Sequence, residues 1–186
     1  MIKIDDADRI ILKLLSQDPE ISQTDLAEHL GISQPAISSR IYKLKKAGVL
    51  THLIGMDVKK AQLFLAKIDM VTDDVDNLLG SLDGCPFYLN SFLTSGKHNL
   101  TILLMGENIR SIISCVDSHI RSNPFVKDME FNIILEPIRN FVVPINFHQE
   151  KKEITPCGKN CANCNLYLDN RCLGCPTSIH YKGTLL

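Results

Sequence analysis

Apolar positions in the first fifty residues recur at helical spacing in three successive runs. In "DADRIILKLLSQDP", Ile10, Ile11, Leu14 and Leu15 share one side of a helix that Asp5 or Asp6 can cap and that Pro19 brings to an end. "SQTDLAEHLG" is more compact: Ser22 caps it, Leu26, Ala27 and Leu30 turn inward, and Gly31 supplies the left-handed residue that stops it. A third helix opens at Ser33, takes Pro35 in its first turn, and carries Ile37, Ile41 and Leu44 at i, i+4 and i+7 before ending at Gly48. Two short helices joined by a glycine turn and followed by a longer one predict a helix-turn-helix over residues 1–60, with "AGVLTHLIGMDVKK" running on into an extended segment consistent with a small wing.

After residue 60 the pattern changes. "LFLAKIDMV" reads as a strand, "DDVDNLLGSLDGC" as a helix, "FYLNSFLTSG" and "NLTILLMG" as two strands around a turn, "ENIRSIISCVDSHIRS" as a helix and "VKDMEFNIILEP" as a last strand. The order βαββαβ predicts a ferredoxin-like α+β sandwich over residues 61–141, with both helices on one face of an antiparallel sheet. Residues 142–156, punctuated by Pro144 and Pro156 around a charged "QEKKE", read as a linker.

Composition agrees with a folded chain: 45% of the 186 residues are hydrophobic and the formal net charge is −1. The acidic start has no signal-peptide character, and no run reaches the ~18 apolar residues of a membrane span, so a cytoplasmic protein that does not engage a membrane is expected. The small net charge conceals a local asymmetry. Residues 1–39 lean acidic, whereas Arg40, Lys43, Lys45, Lys46, Lys59 and Lys60 follow with only Asp57 against them. On the third helix the inward stripe is occupied, which leaves Gln34, Pro35, Ser38, Ser39 and Tyr42 facing elsewhere, with Arg40, Lys43 and Lys46 around and behind them. Short polar side chains at a helix's leading end can reach base edges in a major groove, and the basic residues can neutralise phosphates. Double-stranded DNA is the predicted partner.

The stretch "ISQTDLAEHLGISQPAISSRIYKLKKAGVLTHLIGMDV", together with "DDADRIILKLLSQDPEIS" before it, resembles the DNA-binding domain of the Lrp/AsnC (feast/famine) transcription regulators. The resemblance extends over roughly residues 4–141. It implies a sequence-specific regulator whose second domain pairs into a homodimer, assembles further to tetramers or octamers, and binds a small-molecule effector near the turn between its second and third strands. That turn is "SGKHNL" here, so Gly96, His98 and Asn99 are the effector candidates, and Asn99 stands where the family pattern has an Asp. An Asp can pair with an ammonium group while Asn can only hydrogen-bond, so weak or absent binding of free amino acids is expected. Siroheme decarboxylases look like these regulators in both domains, which makes an enzyme of that type the alternative reading.

Five of the seven cysteines fall in the last thirty residues, as C-x3-C-x2-C-x7-C-x2-C: Cys157, Cys161, Cys164, Cys172 and Cys175. Paired CxxC turns aim thiolates at one ion and can close a tetrahedral shell, so residues 157–186 are expected to be a metal-binding tail. Zinc is the expected cofactor, and an iron–sulfur cluster is the alternative because it also takes four thiolates. Which four ligate stays open. A metal or redox sensor would use such a centre as its input. His148 and His180 could add a nitrogen ligand, whereas Cys85 and Cys115, each alone in its segment, are expected to behave as small buried hydrophobes.

Overall fold

Asp5 and Asp8 start the first helix as a reciprocal pair. In the computed structural model, which describes residues 2–144 and 150–184, the chain divides into two units, Met1–Leu53 and Ile54–Leu186. In the first unit α1 (Asp6–Gln17) opens on a capping box in which the Asp5 carboxylate accepts from the Asp8 N–H and the Asp8 carboxylate from the Asp5 N–H. Helices α2 (Gln23–Leu30) and α3 (Gln34–Lys46) follow, separated by a turn in which Gly31 adopts φ +64°, a conformation that side-chain-bearing residues resist. Ile11, Leu26, Ile37 and Leu44 are fully buried at the centre of the three helices, and Ile41 with Ala27 completes that core. Ile10, expected to face inward, is 45% exposed; the inward turn of α1 is taken by Asp8 and Ile11.

Asp8 is buried for a reason that the apolar pattern does not reveal. The Arg40 guanidinium of α3 reaches back to α1 and donates to Asp5 Oδ2 at 2.7 Å and to Asp8 Oδ1 at 2.8 Å. The side chain of Asp8 has no exposed surface, so its charge depends on this partner and on Lys43 Nζ at 3.7 Å. The hydrogen bond from Arg40 holds the Asp5 carboxyl below its ordinary value of 3.8, and the same bond raises the Arg40 pKa.

The second unit is built on a four-stranded antiparallel sheet in the order β3-β4-β2-β5, from β2 (Phe64–Thr72), β3 (Tyr88–Leu93), β4 (Leu100–Gly106) and β5 (Val126–Ile134). The extended segment after Gly48 is realised as β1 (Gly55–Asp57), which pairs with β6 (Val142–Pro144) in a separate two-stranded ribbon. A Cβ on Gly55 would collide with the Val143 carbonyl, so the approach of these two strands requires glycine. The start of the expected linker is therefore ordered sheet: Val143 is 1% exposed and packs with Val58, Leu63, Leu65 and Met105.

Helices α4 (Val75–Leu82) and α5 (Ile109–Val116, continued by a π turn Asp117–Arg121) cover one face of the sheet. Leu78, Leu82, Ile112, Val116 and Ile120 pack there on Ala66, Ile68, Met70, Leu100, Ile102 and Leu104. The opposite face carries Lys67 and Asp69, paired at 2.8 Å, with Thr101 donating to Asp69. At the mouth of β4 the Asn99 side chain bridges strands: its Nδ2 donates to the Thr72 carbonyl at 2.8 Å and its Oδ1 accepts from the Thr72 N–H at 3.0 Å.

Both the Arg40 clamp and the Asn99 bridge are open to measurement. Because the folded Asp5 pKa lies below 3.8, its contribution to stability is present above that value and disappears as pH falls through the lowered one. Hydrogen exchange at the α1 amides of the full chain is expected to quicken in that acid window. Arg40→Ala should quicken it several-fold at neutral pH and flatten the acid dependence; an unchanged profile contradicts the clamp. Asn99→Asp keeps an acceptor for Thr72 but loses the donor, and should cost about 1 kcal/mol in denaturant unfolding of the second unit, whereas a stability equal to wild type removes the bridging role.

Candidate nucleic-acid interface and cysteine cavity

On α3 the side chains expected to meet DNA are mostly on the open surface: Gln34, Pro35, Ser38, Ser39, Tyr42, Lys43 and Lys46 are exposed, Tyr42 by 67%. Gln34 rests its amide on the Gln23 side chain at 3.2 Å, which steadies the leading end of the helix. Arg40 differs from the others. Its guanidinium is committed to Asp5 and Asp8 and its side chain is only 30% exposed. Lys43 is shared in part with the same carboxylate, while Lys45 and Lys46, both exposed in the last turn, carry the basic end of the helix.

The effector candidates separate. Gly96 is exposed, with open space where a Cβ would project. The side chain of His98 is only 16% exposed and its Nε2 lies 3.8 Å from Asp128, which Lys97 also reaches at 3.2 Å. Asn99 spends both ends of its amide on the Thr72 backbone.

The tail does not stand apart from the sandwich. Its backbone is tied by the Lys152 N–H to the Thr177 carbonyl at 2.7 Å and by the Lys182 N–H to the Leu173 carbonyl at 2.8 Å, around a short helical turn Cys161–Asn163 and α6 (Asn165–Leu168). It packs against α5 where the helix offers serine: Ser114 Oγ donates to the Arg171 carbonyl at 3.0 Å, and Lys159 Nζ to Ser118 Oγ at 3.4 Å. Glu107, just before α5, accepts from the Tyr181 hydroxyl and from the Thr184 N–H. Ser111, Ser114, Thr155, Thr177 and Ser178 are all buried in this packing.

Between tail and helix lies a cavity of about 50 Å³, larger than the ~10–15 Å³ that admits one water. All five tail cysteines line it, and so do Cys85, Cys115 and His119. Cys161 is buried and the other four tail thiols are half-buried. Burial pushes the Cys175 thiol up to about 11 and raises that of Cys172, because burial disfavours the thiolate. Thr155 and Thr177 hydroxyls sit 3.0 Å from Cys157 Sγ and Cys175 Sγ respectively. Sulfur donors in this number suit zinc or an iron–sulfur cluster and exclude the hard cations that need oxygen. His180 lies outside the cavity wall, against the Tyr167 ring at 6.3 Å between centroids, and His148 falls outside the described residues.

Cys85 and Cys115 are buried as expected, at 8% and 6% exposure. Their sulfurs are 3.7 Å apart, and with His119 they form a group of three donors lying within 4.8 Å of one another. The Cys115 thiol, hydrogen-bonded to Cys85, and the neighbouring His119 lower the Cys85 pKa, while the same pairing pushes Cys115 up. A signal for this was present in the sequence: Cys115 and His119 are four residues apart on one helix and so share a face. Cys85 could not be found that way, because it arrives from a distant turn.

A family profile described as winged helix-turn-helix DNA-binding matches residues 4–51. The HTH-type transcriptional regulator LrpA of Pyrococcus horikoshii is 31% identical over 118 residues, covering 60% of this chain and 84% of that protein. The regulatory protein AsnC of Escherichia coli is 26% identical over 148 residues, covering 76% of this chain and 97% of its own length. In structure, E. coli AsnC superposes with a TM-score of 0.65 at 22% identity over 74% of this chain and 96% of that one. A Neisseria meningitidis transcriptional regulator, solved as an L-Met complex, gives 0.64 at 18% identity, covering 74% and 94%. These likenesses establish the fold, and the sequence relatives are regulators rather than enzymes, so the decarboxylase alternative is set aside. With its helix-turn-helix, its antiparallel sandwich and this degree of identity to LrpA, the chain belongs to the Lrp/AsnC family of DNA-binding transcriptional regulators.

Proposed function

We propose that this regulator reads duplex DNA as a dimer through the exposed leading end of α3, and that its tail cysteines hold a metal centre whose occupancy or redox state is its input. The observation that carries the second half is that all five tail cysteines line one cavity beside α5, although the donors within 4.8 Å of one another among the described residues are Cys85, Cys115 and His119. A chain that needed only a hydrophobic cap there would not line it with sulfur. Zinc fits a closed four-thiolate shell. The room within the cavity keeps an iron–sulfur cluster as the second reading, because a cluster brings several atoms of its own.

For DNA, Gln34, Ser38 and Ser39 are placed to meet base edges and Lys43, Lys45 and Lys46 to meet phosphates, while Arg40 supports the helix from behind. Assembly through the second unit is consistent with Phe92 and Leu93, apolar and exposed on the edge strand β3. The commitment of Asn99 to Thr72 supports an input other than free amino acids.

Lys46→Ala is expected to weaken binding evenly across sequences and to reduce the slope of log K against log salt by about 0.9 for each phosphate that is no longer neutralised. Gln34→Ala should change the preferred base at one position of each half-site by ~1–3 kcal/mol. Salt-dependent anisotropy titrations on operator libraries measure both, and an unchanged slope and preference would remove the interface from α3. Elemental analysis with an absorption spectrum of anaerobically purified protein tests the metal centre: zinc without colour, or iron with sulfide, supports it, and protein free of both contradicts it.

A further inference from the structure

The tail supplies five thiols to a cavity where one four-coordinate centre needs four. The core contributes three more donors from another direction: Cys85 from the turn after α4, and Cys115 and His119 from one face of α5. Eight soft donors around one cavity are enough for two complete tetrahedral shells.

We propose that Cys85, Cys115 and His119 form a second metal site, completed by one of the tail thiols that line the same cavity, while the other four serve the first. The proposal rests on the metal-binding reading of the tail only for its fourth ligand. The three core donors already lie within 4.8 Å of one another. Two sulfurs bound at ~2.3 Å to one tetrahedral zinc are about 3.8 Å apart by geometry, and Cys85 and Cys115 stand at 3.7 Å. Three thiolates and an imidazole are an established zinc set, and cobalt(II), of similar preference, serves as its reporter.

His119 is 5% exposed, lines the same cavity as Cys85 and Cys115, and already hydrogen-bonds the Cys85 thiol, so its imidazole faces the two sulfurs. Ligation across the cavity would also fasten the tail to α5 and to the turn carrying Cys85, so that one metal ion joins three segments distant in sequence.

The test counts metal on the full chain, stripped with chelator and reloaded anaerobically with zinc. Wild type is expected to hold two equivalents per chain, Cys85→Ala/Cys115→Ala one, and Cys161→Ser/Cys164→Ser one. If the first centre takes iron instead, the readout is still the one zinc equivalent that disappears with Cys85 and Cys115. His119→Cys should keep both metals and move the cobalt(II) spectrum toward that of an all-thiolate site, which guards against a double variant that fails to fold. A wild type with one equivalent that Cys85→Ala/Cys115→Ala retains would overturn the second site and leave the tail centre standing. One equivalent absent from that variant but kept in Cys161→Ser/Cys164→Ser would support the second site and overturn the tail centre. A Cys85–Cys115 disulfide in anaerobically purified protein, or a cobalt spectrum indifferent to His119→Cys, overturns the proposal.

Discussion

The outer face of α5 is the constraint on which the second unit depends. One side of this helix carries Ile112, Val116 and Ile120 into the sheet, as any helix of an α+β sandwich must. The other side carries Ser111, Ser114 and Ser118, whose small side chains let a second layer of backbone approach and whose hydroxyls meet its polar groups. A larger apolar residue at Ser114 would fill the space that the Arg171 carbonyl occupies. A charged one would be buried without a partner. The cysteine-rich segment has little apolar material of its own, so this serine face, the Glu107 contacts and the shared cavity supply what a hydrophobic core would supply elsewhere.

A comparable constraint operates in the first unit at a single side chain. Arg40 binds the capping carboxylates of α1, and so fixes the start of the first helix to the middle of the helix that presents Gln34, Ser38 and Ser39. A basic residue on a recognition helix is readily assigned to phosphate. Here Arg40 is paired with the buried Asp8, and Lys45 and Lys46 lie exposed in the C-terminal turn of α3.

Much of this architecture was legible in the chain because periodicity and caps are local. Ser22, Gly31 and the Ile37, Ile41, Leu44 stripe behave as their spacing implies, and the βαββαβ order emerges with its helices on one face. What was not legible depends on distant partners. The strand around Val143 reads as linker because three residues carry too little pattern, and only its pairing with Gly55–Asp57 makes it sheet. The two hydrogen bonds that Asn99 makes to the Thr72 backbone were equally invisible, because Thr72 lies 27 positions away. Cys85 and Cys115 are thirty positions apart, and nothing in either neighbourhood announces that their sulfurs meet. The cysteine spacing of the tail was plain, but that its cavity would be closed by α5 was not.

The central claim is that tail and α5 order together around the thiol-lined cavity. Hydrogen exchange by mass spectrometry, on the metal-loaded chain and again after chelation, tests it most directly. The account predicts strong protection of the 157–184 backbone in the loaded protein, and a joint loss of protection there, in α5 and in the turn at Cys85 once metal is removed, with α1–α3 unaffected. A tail that exchanges freely in the loaded protein, or one that loses protection while α5 and Cys85 keep theirs, would contradict it.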